Sequence, residues 1–274
     1  MHARSALFDL WGDHIAARGG CAPISALVRL LAALGISEPA VRTAVSRMVR
    51  QGWLVPTRTP QGAAGYALTD RARTRLDDAS RRIYRTTATA RWGGHWHLVV
   101  LAPVGNRSGR DRTRAALRFL GYAPLHGDTW IAPRPAPDLA ATLGAEGASA
   151  QCFDAVATDG TAPRTGADAH DLAAQVWDLE GLAAAYRRWQ AQAHGWAEQA
   201  GPDADDEQQF AARSRLVHEW RKFLFTDPAL PAELLPPGWP GHAAAELFDR
   251  ESARLAPAAA RFVDSCLQPD RELL

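Results

Sequence analysis

Apolar residues recur at helical spacing in the first third of the chain, and this pattern predicts three helices. The first covers residues 4–18 and is expected to end at a pair of glycines. The second covers residues 23–34, where the apolar residues again fall on one stripe. After a short turn the third covers residues 38–51, and Ser37 stands where its hydroxyl could cap that helix. Two helices joined by so short a turn are typical of a helix-turn-helix.

The third predicted helix has two chemically different faces. The apolar residues on one face are Val41, Val45, Met48 and Val49. The cationic and hydroxyl residues on the other face are Arg42, Thr43, Ser46, Arg47 and Arg50. Surface helices usually mix charges of both signs, whereas this face has no acidic residue after Glu38. Arginine can bind guanine edges and phosphates, and hydroxyls can bind phosphates, so we interpret the face as a DNA-reading surface rather than an ordinary solvated one.

Two short strands follow the third helix. They cover residues 53–55 and 66–68, and the loop between them is rich in turn-forming residues. Thr69 and Asp70 can then cap a fourth helix that runs towards residue 84. Two strands directly after a recognition helix predict a wing, so residues 1–88 are expected to form a winged helix-turn-helix that binds DNA. The expected DNA-contacting residues are Ser37, Arg42, Thr43, Ser46, Arg47, Arg50 and Arg58.

Strand and helix patterns alternate in the middle of the chain. The predicted strands are residues 97–101, 123–125, 129–132 and 151–157, and the predicted helices are residues 107–120 and 137–143. On the longer helix, the residues expected to face inward are Ala115, Ala116, Phe119 and Leu120. The order βαββαβ predicts a ferredoxin-like middle domain over residues 89–168.

The pattern is helical from residue 171 onward. It predicts one amphipathic helix through residues 176–189, a loop at 201–208, and helices at 213–224 and 243–266. Residues 169–274 are therefore expected to form an all-helical C-terminal domain that serves dimerisation and effector response. The predicted fold class is α+β, with a winged helix-turn-helix, a ferredoxin-like domain and a helical domain.

Charge is unevenly distributed along the chain. Residues 1–91 contain 14 arginines and 6 acidic residues, a net charge of +8. The remaining residues contain 17 basic and 24 acidic residues, a net charge of −7. A basic first third on an acidic body favours a polyanionic partner such as double-stranded DNA, although a generally arginine-rich composition is the alternative.

The sequence contains no motif that indicates catalysis. The three cysteines, Cys21, Cys152 and Cys266, are far apart, which argues against a disulfide framework and a zinc site. The nine histidines form no HxxxH or HExxH motif, and no nucleophile elbow or glycine-rich phosphate loop occurs. We therefore expect a protein that is not an enzyme and holds no metal or cofactor. The N-terminus lacks a signal-peptide pattern and no apolar run reaches the length of a membrane span, so we expect a cytoplasmic protein.

Several motifs together resemble the PaaX family of phenylacetate-pathway repressors. In the N-terminal third they read ALFDLWGDHI, VRTAVSRMVRQGWL and GYALTD, and towards the C-terminus WDL, LVHEWR, DPALP and LLPPGWPG. The resemblance covers most of the chain. It implies a ligand-responsive repressor, with a middle domain similar to the ferredoxin-like fold of CRISPR-associated ribonucleases. A lone winged helix contacts about one half-site of an operator, so we also expect a homodimer.

The resemblance further implies an aryl-acetyl-CoA thioester, typified by phenylacetyl-CoA, as the effector that releases the protein from its operator. Such a ligand needs apolar walls for its ring and cations for its phosphates. We assign the walls to Trp96 and Trp130, and the cations to Arg107, Arg110 and Arg112 at the start of a predicted helix. The alternative for the tryptophans is structural packing, and the alternatives for the arginines are a solvated basic patch or a secondary contact to the DNA backbone.

The likeness to ribonucleases raises an alternative function, a metal-dependent nuclease fused to a DNA-binding domain. Such a nuclease needs a carboxylate at the end of its first strand to hold a cation. Here the strand continues into residues 102–106, none of which is acidic. We therefore expect the fold without the nuclease chemistry.

Overall fold

The computed structural model describes residues 1–59, 62–74, 91–103, 106–159, 162–163 and 166–268. Within these ranges, the side chains are described for all residues except those between 159 and 168. The chain divides into two compact units. The first combines Met1–Thr86, Arg188–Lys222 and His242–Leu274, and the second combines Thr87–Arg187 and Phe223–Gly241. Each unit contains both helices and strands, so the fold is α+β, as predicted.

The N-terminal part of the first unit contains the predicted helices and strands. The first helix, α1, spans Ala3–Leu10 and continues through a π-helical turn, Trp11–Ile15, and a 3₁₀ turn, Ala16–Arg18. The next elements are β1 (Cys21–Pro23), α2 (Ile24–Ala32), α3 (Glu38–Arg50), β2 (Leu54–Arg58), β3 (Ala64–Leu68) and α4, which is described for residues 70–74. The rest of the predicted fourth helix lies outside the described residues.

The strand β1 is absent from the prediction, because three residues are too few to show an alternating pattern. It pairs antiparallel with β3, which also pairs with β2, so the sheet order is β1-β3-β2. Gly65 of β3 pairs with Pro23 of β1. A Cβ atom at Gly65 would lie 2.8 Å from the carbonyl oxygen of Ala22, so only glycine fits this register without a shift.

One apolar core connects the N-terminal elements with the two C-terminal helices α9 (Asp206–Trp220) and α10 (Pro240–Leu267). Buried side chains from α1, α2 and α3 include Leu7, Leu27, Val41 and Met48. Those from the C-terminal helices are Phe210, Ala259, Val263 and Cys266. The N-terminal segment therefore shares its core with residues about 200 positions away in the sequence.

The second unit is built on a four-stranded antiparallel sheet. Its elements are β4 (Trp96–Leu101), α5 (Arg107–Phe119), β5 (Ala123–His126), β6 (Thr129–Ala132), α6 (Leu139–Ala145) and β7 (Ala150–Ala155). The sheet order β5-β6-β4-β7, in the chain order βαββαβ, matches the predicted ferredoxin-like arrangement. Its core contains Val99 and Trp130 from the sheet and Leu117, Leu139 and Leu143 from the helices.

The prediction of which α5 residues face inward was largely wrong. The buried residues of α5 are Gly109, Thr113 and Leu117. Of the predicted residues, only Leu120 packs against the core, where it is half-buried, whereas Ala115 and Phe119 are exposed and Ala116 is half-buried. The hydroxyl of Thr113 donates a hydrogen bond to the carbonyl of Gly109 (2.9 Å), so a polar residue can lie in the core without losing a partner. The apolar pattern alone could not show this internal hydrogen bond.

The helix predicted through residues 176–189 is two helices, α7 (Gly166–Val176) and α8 (Leu179–Gln199). The break occurs at Asp178, whose carboxylate accepts a hydrogen bond from the backbone N–H of Gly181 (2.9 Å) and so caps α8. Two short paired strands, β8 (Thr158–Asp159) and β9 (Ala162–Pro163), precede α7 and were not predicted.

The predicted bounds of α9 also needed correction. The helix begins inside the predicted loop because Asp205 and Gln208 form a reciprocal capping box, with hydrogen bonds of 2.7 and 3.0 Å. It ends at Trp220, after which 3₁₀ turns cover Arg221–Phe225 and Ala232–Leu234. Among the described residues, no helix is long and apolar enough to cross a membrane.

Candidate nucleic-acid interface

The helix α3 has the two faces that its sequence predicts. Val41, Ala44, Val45 and Met48 are buried, and Val49 is half-buried. The exposed residues on the opposite side are Arg42, Thr43, Ser46, Arg47 and Arg50, which we call the α3 polar face. Three guanidinium groups and two hydroxyls therefore share one solvent-facing side of a 13-residue helix.

The arginines of the α3 polar face differ in their partners. Arg42 forms an ion pair with Glu38 one turn earlier, with 2.7 Å between Nη2 of Arg42 and Oε1 of Glu38, and both side chains are about half exposed. Within the described residues, Arg47 and Arg50 form neither an ion pair nor a hydrogen bond. An exposed pair such as Arg42–Glu38 contributes little to stability, so Arg42 can leave Glu38 at little cost. The guanidinium groups of all three arginines are therefore available to bind a ligand.

Ser37 lies at the N-cap of α3, as predicted, but its side chain makes no capping hydrogen bond. Its hydroxyl is exposed at the same end of the helix as Glu38. Arg58 is exposed at the end of β2, and its Nη1 donates a hydrogen bond to the carbonyl of Gly62 across the hairpin turn (2.8 Å). The structure thus places Arg58 at the tip of the β2–β3 hairpin.

Both ends of α3 are held by hydrogen bonds to the backbone. Before it, Gly35 adopts a positive φ of 75° and the N–H of Ile36 donates to the carbonyl of Leu31 (3.0 Å). After it, the N–H of Trp53 donates to the carbonyl of Met48 (2.9 Å), and the hydroxyl of Thr69 donates to the carbonyl of Gly52 (2.8 Å). These bonds fix α3 between α2 and the β2–β3 hairpin.

The five residues predicted for an effector lie in the second unit in two different environments. Arg107 and Arg110 are exposed in the first turns of α5, and Arg112 pairs with Glu146 (Nε–Oε2 2.8 Å). Trp96 and Trp130 are each 1% exposed. They lie on opposite faces of the sheet, because the partner of Trp130 in β4 is Val99, three residues beyond Trp96.

The two buried tryptophans have different neighbours. The guanidinium carbon of Arg118 lies 5.5 Å from the centre of the Trp130 ring. The ring of Trp96 stacks on that of Trp177 at 6.1 Å, and Trp92 packs edge-on against Trp96 at 5.0 Å. In the part of the chain that is described, the indole N–H groups of Trp96, Trp130 and Trp177 have no acceptor.

Sequence reasoning missed a group of buried and half-buried ionisable side chains in the first unit. Asp13 beside the end of α1 pairs with Arg213 of α9, which is 8% exposed. Asp9 of α1 contacts His218 (Oδ2–Nδ1 2.6 Å) and pairs with Arg221. Acidic residues inside the apolar stripe of a predicted helix were the available signal, since a buried carboxylate needs a partner.

The imidazole of His14 lies next to this group and is neutral at neutral pH. Burial lowers its pKa from 6.5 to about 4, and the nearby guanidinium of Arg213 acts in the same direction, although Asp13 opposes the shift. Its Nε2 lies 3.5 Å from Nη1 of Arg213, a position in which a neutral ring nitrogen can accept. The described residues include no group of three or more His, Cys, Asp or Glu that could hold a metal ion.

The comparisons with known proteins cover most of the chain. Three family profiles match: "PaaX-like protein" over residues 2–72, "PaaX protein central Cas2-like domain" over 89–169 and "PaaX-like protein C-terminal domain" over 177–265. The Escherichia coli K12 protein named Transcriptional repressor PaaX is 30% identical over 268 residues, which cover 94% of this chain and 82% of that protein.

A solved structure agrees with this relationship. The uncharacterized protein Rv0674 from Mycobacterium tuberculosis is 26% identical to this chain and matches it with a TM-score of 0.59, covering 95% of this chain and 98% of its own. The profiles follow one another along the chain in three successive segments, and the E. coli repressor matches across all three. The chain therefore belongs to the PaaX family.

Proposed function

We propose that this protein is a DNA-binding transcriptional repressor and that its residues 1–88 act as a winged helix-turn-helix with α3 as the recognition helix. The observation that carries the proposal is the α3 polar face, an exposed surface with three arginines and two hydroxyls on a helix whose opposite side is buried. Family membership supports the repressor function, because the E. coli relative is named a transcriptional repressor.

The chemistry of the α3 polar face suits the major groove of DNA. A guanidinium group can donate two hydrogen bonds to O6 and N7 of guanine, and each such contact discriminates by about 1–3 kcal/mol. Thr43 and Ser46 offer hydroxyls to phosphate oxygens, and Arg58 at the hairpin tip offers a cation to the neighbouring backbone. Ser37 adds a hydroxyl that the helix does not use for its own cap.

We expect the repressor to act as a homodimer on a near-palindromic operator. One recognition helix covers only about one half-site, so two copies are needed for useful specificity. The helices after residue 171 are the proposed dimerisation and signalling region. The sedimentation velocity of the full chain, measured with and without operator DNA, tests this expectation directly.

The selection of a DNA sequence by the full chain tests the proposed function. The protein is incubated with a library of random-sequence duplexes, and the bound DNA is amplified and selected again. A repressor of this kind enriches one motif with two related halves spaced by about one helical turn. Enrichment of no motif would contradict the proposal.

The proposed effector is an aryl-acetyl-CoA thioester such as phenylacetyl-CoA, and the pathway under control is an aromatic-acid catabolic pathway of the phenylacetate type. Arg107 and Arg110 at the start of α5 offer exposed guanidinium groups for the CoA phosphates, as does Arg112 once it leaves Glu146. Of the two tryptophans, only Trp130 lies on the sheet face that packs against α5, so Trp96, on the opposite face, cannot join the same pocket. A buried indole N–H without an acceptor is costly, so the indole of Trp130 suits a ligand that brings an oxygen atom.

Titration of the protein–DNA complex separates the possible effectors. We expect phenylacetyl-CoA to release the selected duplex, whereas phenylacetate and free CoA leave it bound, because only the thioester offers both a ring for the apolar walls and phosphates for the arginines. An effector releases DNA only if it binds the two conformations of the protein differently. Release by phenylacetate alone would contradict the role of the α5 arginines. The Arg107/Arg110→Ala variant should need more phenylacetyl-CoA for release than the wild type needs.

A metal-dependent nuclease is the second candidate, and the match to a central Cas2-like domain is the observation that favours it. The end of β4 argues against it, since Leu101 is followed by Ala102 and Pro103 rather than by a carboxylate. Incubation of the protein with DNA and RNA in the presence of Mg²⁺ or Mn²⁺ tests this candidate. Cleavage that depends on the metal would support the nuclease.

A further inference from the structure

We propose that Asp9 and Asp13 are positioning residues, which orient the α3 polar face for DNA through their contacts with Arg213 and His218 of α9 and with Arg221 directly after that helix. The inference rests on the proposed DNA-binding function. The group comprises Asp9, Asp13, Arg213, His218 and Arg221, all in the first unit, and we call it the anchor network.

The contact between Asp13 and Arg213 is bidentate. Both terminal nitrogens of Arg213 donate to the Asp13 carboxylate, and the Nη2–Oδ1 distance is 3.2 Å. The Nε of Arg213 donates to the carbonyl of Ser252 in α10 (3.2 Å). Three donors of one planar guanidinium group are thus engaged, so Arg213 holds Asp13 in a defined plane relative to α9 and α10.

Asp9 provides a second attachment point one turn earlier. Its Oδ2 accepts a hydrogen bond from Nδ1 of His218 (2.6 Å), and its other oxygen pairs with Arg221. Asp9 is itself buried, with 9% of its surface exposed. Two attachment points, at Asp9 and at Asp13, fix both the register and the rotation of α1 along α9, as one point could not.

The anchor network lies in direct continuity with the recognition helix. In the core, Leu7, Leu10 and Trp11 from the first helix belong to the same cluster as Val45 and Met48 of α3. A shift of α1 along α9 would therefore carry α3 with it, because close-packed side chains transmit small displacements. The α3 polar face moves as α1 moves.

Stability alone does not account for the anchor network. Apolar contacts in the shared core already hold α1 against α9, but such contacts have little directional preference. Well-packed apolar residues in place of a buried ion pair are often neutral or stabilising, so a buried pair is better explained by the geometry that it imposes. In the anchor network, that geometry is the orientation of the first helix.

The test compares affinity for a selected duplex with affinity for a scrambled duplex of the same length, in full-length variants. The single variants are Asp9→Asn and Asp13→Asn, and the double variant Asp13→Leu/Arg213→Met replaces the charges by apolar groups of similar size. The control is Arg261→Gln, which breaks an exposed pair between Arg261 and Asp206 in the same unit. Circular dichroism and thermal unfolding identify the variants that remain folded.

We expect the ratio of the two affinities to fall by about tenfold in the double variant, even when its melting temperature equals that of the wild type. The single variants should lose selectivity in the same direction, and Arg261→Gln should keep the wild-type ratio. If the double variant does not fold, the two single variants decide by the same ratio.

A folded double variant, or folded single variants, with wild-type selectivity would overturn the inference while leaving the proposed function intact. A wild-type protein that enriches no sequence from a random library would overturn the proposed function and the inference together. The behaviour of the wild type in the selection therefore distinguishes the two failures.

Discussion

Ala229 adopts a left-handed backbone conformation, with φ of 54°, and among the described residues it is the only non-glycine with a positive φ. This conformation costs an L-residue about 1–2 kcal/mol. The carboxylate of Asp227 compensates, because one oxygen accepts from the N–H of Ala229 (2.7 Å) and the other from the hydroxyl of Tyr186. Burial and the adjacent Asp227 both raise the pKa of Tyr186, so the hydroxyl keeps its proton for this bond.

The substitution Ala229→Gly is expected to increase the free energy of unfolding by about 0.5–1 kcal/mol, because relief of the strain exceeds the added flexibility of the unfolded chain. Ala115→Gly is the matched control, since Ala115 is exposed inside α5 of the same unit. The control should lower stability by about 1 kcal/mol. Urea unfolding of both variants measures the difference, and a change of the same sign in both would contradict the strain assigned to Ala229.

His14 should make stability depend on pH. The folded protein keeps His14 neutral down to about pH 4, whereas the unfolded chain protonates it near the ordinary value of 6.5. Stability is therefore lost as the pH falls from 6.5 to 4, by about 2–3 kcal/mol for this group. His14→Gln should reduce the slope of unfolding free energy against pH in this window. The exposed His126→Gln control should keep the wild-type slope.

At the scale of single elements, a substitution at Gly65 tests the pairing register of the three-stranded sheet β1-β3-β2. The substitution Gly65→Ala places a methyl group against the carbonyl of Ala22 at 2.8 Å and should destabilise the protein by about 1–3 kcal/mol. Gly195→Ala is the control, because Gly195 lies inside α8 of the same unit and a methyl group there would meet no other part of the chain within 4 Å. The control should stabilise by up to about 1 kcal/mol. Thermal unfolding that shows no loss for Gly65→Ala would contradict the observed β1–β3 pairing.

The elements that the sequence predicts correctly are those with a strong local pattern. The two faces of α3 follow from helical spacing alone, so the α3 polar face could be predicted before the structure. The strand β1 and the break at Asp178 depend on a pairing partner and on a cap, which periodicity does not show. The burial of Thr113 in α5 is accompanied by the hydrogen bond of its hydroxyl, which is equally invisible in the pattern.

At the scale of the whole molecule, the anchor network could not be predicted, because Asp13 and Arg213 are 200 residues apart in sequence. The shared core has a consequence for experiments. A fragment of residues 1–91 would lack Phe210, Ala259 and Val263, and would leave the apolar side chains that pack on them in water. The full chain is therefore the appropriate sample for DNA binding.

The charge distribution predicts that binding to a random duplex depends strongly on salt. Residues 1–91 have a net charge of +8, and each phosphate contact releases counterions. We expect the affinity of the full chain for a scrambled duplex to fall by about 100-fold between about 50 and 200 mM salt. Fluorescence anisotropy with a labelled duplex measures this slope, and an affinity independent of salt would contradict an electrostatic interface.

The central claim is that the α3 polar face binds DNA, and the most direct test compares two variants with the same loss of charge. Arg47/Arg50→Ala removes two cations from α3, and Arg187/Arg188→Ala removes two exposed cations from α8. The affinity of each full-length variant for the selected duplex is measured by anisotropy titration. We predict a loss of about 1–3 kcal/mol per arginine for the α3 variant and wild-type affinity for the α8 variant. Equal affinities for the two variants would contradict the assignment of α3 as the recognition helix.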